Sequence, residues 1–154
     1  MSETVINILV GVVILLFLGL NIYVKSRRSL KTPLGRVALI LTNINHNVNM
    51  VENFSFHHGV GKMKTDAWQK NKDNIDILPQ ESRMALSQVF EMCEEVNGRI
   101  DAARKFKSDS YMAGIDISRL KAPLADSQRR LQEWLQANMN NPEYQPKRRR
   151  GLFG

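Results

Sequence analysis

The chain has one cysteine, Cys93, so no intrachain disulfide can form and packing alone must hold the fold. A lone thiol suits a reducing compartment. No segment alternates apolar and polar residues with the period of two that a half-buried strand needs. No repeat is visible either, which excludes a solenoid. The three histidines, His46, His57 and His58, show neither HxxxH nor HExxH spacing, so no recognisable zinc pattern is present. The sequence Gly59-Val60-Gly61-Lys62 is too short for a phosphate loop, and Met63 stands where Ser or Thr would bind magnesium. Finally, no Lys or Arg precedes the first apolar run.

That run, residues 5–24, contains no charged side chain. At about 1.5 Å per residue, twenty helical residues reach about 30 Å, the thickness of a bilayer's hydrocarbon core. Asn7 and Asn21 lie near its two ends, and Tyr23 sits where an interfacial aromatic is expected. A cleaved signal peptide needs a basic start and a small-residue cleavage site, and neither is found. Basic residues follow the run instead: Lys25, Arg27, Arg28 and Lys31. The positive-inside rule then puts the N-terminus outside and everything from residue 25 onward in the cytoplasm, at the plasma membrane if the source is bacterial.

The net charge of +7 is unevenly placed. Residues 25–36 hold five basic side chains, and Lys147, Arg148, Arg149 and Arg150 add four. The remaining 13 basic residues meet 14 acids between residues 37 and 146. The body is thus nearly neutral and its two ends are basic. A nucleic-acid-binding face on the body is disfavoured, because such a face clusters Lys and Arg.

The soluble part reads as helical. Thr32-Pro33 is a helix start, with Thr as cap and Pro at a tolerated first position. Leu34, Val37, Leu41, Ile44, Val48 and Val51 then fall at alternating spacings of three and four, which predicts a helix over residues 33–54 with an a/d seam. Its other side is rich in asparagine, a poor helix former, so packing must hold it. Residues 56–64 read as a loop. Asp66 and Gln69 offer a capping box for a short helix anchored by Trp68, with Ile75 and Leu78 beyond it.

Pro79 opens a second long helix, whose seam is Leu86, Val89, Cys93, Val96, Ile100 and Ala103, ending near Lys107. A third carries Leu120, Leu124, Ser127, Leu131, Trp134 and Met139 on one face, with Pro123 in or at its first turn. The last two helices should form an antiparallel hairpin. The expected fold class is all-α: a single transmembrane helix plus a cytoplasmic helical bundle. The divisions are residues 1–4 outside, 5–24 spanning, 25–32 a basic linker, 33–139 the bundle and 140–154 a basic, disordered tail.

No nucleophile–base pair or metal set emerges, so the chain does not read as an enzyme and no cofactor is implied. Burial at the seam would leave Cys93 inert. The seam residues Val37, Leu41, Ile44, Val48 and Val51 are the expected surface for a protein partner or for self-association. The tail, with Lys147, Arg148, Arg149, Arg150, Leu152 and Phe153, reads as a contact for a protein partner, anionic lipid or nucleic acid, or as a plain solubilising end. Whether helix three ends near the bilayer turns on the Trp68 segment, since a full leg there would bring the chain back. The leading function is a membrane-anchored scaffold, tether or accessory subunit. The alternative is a sensor or metal-binding module using His57 and His58, with His46 as a further candidate ligand.

Overall fold

A computed structural model describes residues 31–145, and those residues contain helices and no strand. The expected membrane helix at 5–24, the flank residues Lys25, Arg27 and Arg28, and the tail from Lys147 to Phe153 lie outside them. Among the described residues, no helix is long and apolar enough to cross a membrane.

Helix α1 spans Pro33–Glu52 and starts as its sequence predicts. The Thr32 hydroxyl accepts the Gly35 N–H at 3.0 Å, and Pro33 occupies the first turn, where a missing N–H costs nothing. A short helix α2 spans Asp66–Asn71 and tightens into a 3-10 turn, Lys72–Asn74. Helix α3 spans Gln80–Phe106 and α4 spans Lys121–Asn138, with 3-10 turns at Asp109–Tyr111 and Ile117–Leu120 between them. The connection over residues 108–118 is thus partly helical. Pro123 lies in the first turn of α4 and does not break it, because N–H groups there have no intrahelical partner.

Cross-links fix the directions. Asn47, Asn43 and Arg36 of α1 bond in turn to Lys64, Ala67 and Asn74, so residues 62–74 run antiparallel to α1. Val60, Met63 and Gln69 meet Arg104, Asn97 and Glu94, so α3 runs back alongside that segment, parallel to α1. Gln128 of α4 reaches Asn45 at 2.8 Å, and Arg130 reaches Glu81 at 3.7 Å, so α4 descends against both long helices. The antiparallel hairpin of α3 and α4 is therefore present. The segment around Trp68 is a complete leg, which makes four legs in all. The start of α1 and the end of α4 share one pole, and the far pole holds residues 53–60 and 104–111.

The α3 seam is buried as expected, from Leu86 to Ala103, with no member more than 7 % exposed. Trp68 stacks on Phe90 with centroids 5.2 Å apart and planes 7° from parallel, and Ile75 and Leu78 are buried below it. On α4, Leu124, Ser127 and Leu131 are buried and Trp134 is half-buried; of the residues flanking it, Leu120 is buried and Met139 is exposed. The seam on α1 differs in register. Val37, Ile40, Ile44, Asn47 and Val51 form the buried stripe, while Leu34, Leu41 and Val48 lie half-exposed on its flank.

The register shifts because asparagine is part of the core. Asn47 donates to the Lys64 carbonyl at 2.9 Å and accepts the Lys64 N–H at 2.7 Å. Asn97 from α3 does the same for Met63, at 2.9 and 2.8 Å. Two side-chain amides thus grip neighbouring residues of an extended segment, one from each side. They supply the paired donor and acceptor that another strand would give. Asn43 accepts the Ala67 N–H at 2.9 Å and so caps α2. The expected capping box does not form: Thr65 is the cap residue and makes no side-chain capping bond.

Candidate functional site

The far pole is built where the two long helices stop. Helix α3 ends on Lys107, whose φ of 47° is left-handed and lets the Ser108 N–H bond to the Ala103 carbonyl at 3.0 Å. The chain then turns sharply, and Tyr111 stacks on Phe106 with centroids 5.0 Å apart. The Lys105 ammonium lies 5.4 Å from the Phe106 ring centre. Where α1 ends, Phe54 meets Phe56 edge-on at 4.9 Å. Phe56, Phe106 and Tyr111 remain 51 %, 55 % and 41 % exposed.

The loop carrying the histidines is tied to this pole. The His58 backbone N–H and its Nδ1 both meet Asp109 Oδ1, at 2.6 and 2.7 Å. A carboxylate only accepts, so Nδ1 carries the proton in this contact. Those bonds hold the Asp109 carboxyl below its ordinary value. Nδ1 of His57 accepts the Gly59 N–H at 3.0 Å, and a Cβ at Gly59 would press on the His57 ring at 3.1 Å. Arg104 donates to the Val60 carbonyl at 2.7 Å, and Lys62 pairs with Asp101 at 2.7 Å. The glycine-rich stretch is thus a clamped connection whose lysine is engaged with a carboxylate.

The predicted residues fall in several places. Val37 and Ile44 are fully buried and Val51 is 4 % exposed, so these three belong to the chain's own core. Leu41 and Val48 keep part of their surface. Val48 and Val51 line a shallow groove against Lys121, Leu124 and Ala125. Lys31 is exposed at the near pole. His46 is exposed on α1, and His57 and His58 share the far loop. Among the described residues, no three His, Cys, Asp or Glu side chains are grouped to hold a metal ion. Cys93 is fully buried, and burial pushes its thiol up to about 12, with Glu94 adding to the rise and a contact from Asn47 opposing it. It is a poor nucleophile there.

Sequence reasoning overlooked the aromatic pole. Phe54, Phe56, Phe106 and Tyr111 all follow the last seam position of their helix, and that placement is the signal. An aromatic beyond the end of a seam has no opposing helix to cover it. No protein-family model, curated protein or solved structure matches this chain.

Proposed function

We propose that the chain is a membrane-anchored helical interaction module, a tether, scaffold or accessory subunit of a membrane complex. In this reading residues 5–24 are the anchor and the bundle stands in the cytoplasm. The observation that carries the interaction role is the exposure of two aromatic pairs at the far pole, Phe54 with Phe56 and Phe106 with Tyr111. They lie at the pole opposite the start of α1 and the end of α4, which is the pole an anchor preceding α1 would hold away from the bilayer. Exposed aromatics beside a cation are characteristic of protein-binding surfaces, where aromatic anchors dominate affinity. The protein partner expected from the seam of α1 is therefore reassigned to this pole, since half that seam lies in the chain's own core.

Affinity capture of the full chain from solubilised membranes tests the assignment. The Phe106→Ser/Tyr111→Ser variant should fractionate with membranes and keep its helical content while losing the captured protein. A variant that keeps the partner would overturn the role of this pole. Loss of the parent chain from the membrane fraction would overturn the anchor.

A further inference from the structure

The connection between α3 and α4 closes a cavity that none of the sites above includes. Met92, Glu95, Val96 and Arg99 share one face of α3, and residues 114–120 pass over that face. Gly114 turns the chain with a φ of 87°, which brings Ile115 back against the core. The Asp116 carboxylate then accepts from the Ser118 N–H at 3.1 Å and from the Ser118 hydroxyl, which fixes the turn that carries Arg119. Between the two layers lies a space of about 60 Å³, room for about five waters. Its floor is apolar, with Val96 and Leu120 buried and Met92 and Ile115 half-buried. Its rim is charged, with Glu95, Arg99, Asp116 and Arg119 all exposed.

The two rim arginines differ from the others. Arg36 and Arg104 donate to backbone carbonyls, and Arg83, Arg129 and Arg130 donate to carboxylates. Among the described residues, only Arg99 and Arg119 have guanidinium groups with no hydrogen bond or ion pair, and both line this one cavity. Glu95 is likewise unpaired, whereas Asp116 is committed to Ser118. We propose that the cavity binds a small aliphatic α-amino acid. Its carboxylate meets Arg99 and Arg119, its ammonium meets Glu95, and its side chain lies on Met92, Val96, Ile115 and Leu120. A guanidinium matches a carboxylate through two parallel hydrogen bonds. Two carboxylates and two guanidiniums leave the rim neutral, so a bare dianion such as phosphate gains little, while a zwitterion uses both signs. Apolar walls with a few convergent polar groups are the usual make-up of a small-molecule site. The site stands whether or not the aromatic pole binds a partner.

NMR of methyl-labelled methionine in the full chain, in mild detergent, tests the proposal. Met92 faces the cavity, while Met84 and Met139 are exposed elsewhere and serve as controls. The Met92 signal is identified by its loss in Met92→Leu. L-Valine should move that signal saturably and leave both controls in place. Isovalerate lacks the ammonium and isobutylamine lacks the carboxylate, so each should bind at least about tenfold more weakly, as the loss of a charged hydrogen-bonding group implies. Arg99→Gln and Arg119→Gln should each weaken L-valine by about the same factor. Both positions are exposed, so these variants should keep the helical content of the parent. A Met92 signal that does not respond at concentrations that fill a millimolar site would overturn the proposal. So would equal affinity for isovalerate or isobutylamine, which would leave one charged contact idle. Inorganic phosphate binding as tightly as L-valine would assign a plain anion site and overturn it. L-Valine affinity unchanged in both arginine variants would leave apolar contact alone and overturn it too.

Discussion

Truncating Asn97 to alanine isolates the grip on the extended segment. The substitution leaves the Met63 N–H and carbonyl without their partners at 2.8 and 2.9 Å. Met63 is 3 % exposed, so water reaches those groups poorly. Each orphaned buried backbone group costs about 1–3 kcal/mol. Two such groups give about 2–6 kcal/mol, and relaxation of the neighbouring loop argues for the lower half, near 3 kcal/mol. Small domains have about 5–15 kcal/mol in total, so the loss is a large fraction. Asn97→Asp keeps an acceptor for the N–H but turns a second carboxylate oxygen toward the Met63 carbonyl. It should be at least as harmful as alanine at neutral pH, and milder in acid, where a protonated carboxyl can donate. Asn47→Ala acts on the adjacent Lys64, so the double variant should lose about 1 kcal/mol less than the sum of the two single losses. Urea titration of the full chain in mild detergent, followed by circular dichroism, measures the energies. Native-state amide exchange at Met63 and Lys64 reads the segment directly. A loss within about 0.5 kcal/mol of the parent, comparable to an ordinary surface substitution, would refute the reasoning. So would Met63 and Lys64 amides that exchange as fast as open loop residues.

Other outcomes follow from single groups. Ser127 Oγ is buried with no hydrogen-bond partner among the described residues, so Ser127→Ala should raise the urea midpoint, by about 1 kcal/mol of stability. Lys107 holds a left-handed φ at the end of α3, so Lys107→Gly should stabilise by a few tenths of a kcal/mol up to about 1, read by thermal melting. Hydrogen bonds from His58 lower the Asp109 carboxyl from 3.8, so its contribution is complete above that value and disappears as pH falls through the lower folded value. Asp109→Asn should therefore flatten that part of the acid limb of stability and, at neutral pH, open the loop at residues 57–60 to limited proteolysis.

The helices were legible because apolar spacings of three and four mark a helix whichever flank of its buried stripe is counted. Leu86 through Ala103 needed only the apolar pattern, and the Thr32-Pro33 start needed only local chemistry. The α1 register was misread at Asn43 and Asn47, which lie on the stripe of Val37, Ile40, Ile44 and Val51 at helical spacing. Counting asparagine as surface pushed the seam one position toward Leu41 and Val48. An amide facing a backbone segment is core, and no single-residue scale records what it faces. The cap of α2 was missed for a related reason, since its acceptor comes from α1, more than twenty residues earlier. The aromatic pole depended on tertiary closure. Only when the His58 loop meets Asp109 do Phe56 and the Phe106–Tyr111 pair share one end.

The pole shared by the start of α1 and the end of α4 also decides how the bundle meets mechanical load. Helices α1 and α4 are antiparallel neighbours, and their contact is the most extensive between helices of the bundle. Tension between residue 33 and residue 138 pulls on adjacent ends of that pair. The interface then opens like a zipper, one layer of side chains at a time, and does not resist as a whole in shear. Tension between either end and the far pole instead loads the helices along their length, so the same bundle is compliant in one direction and stiff in the other.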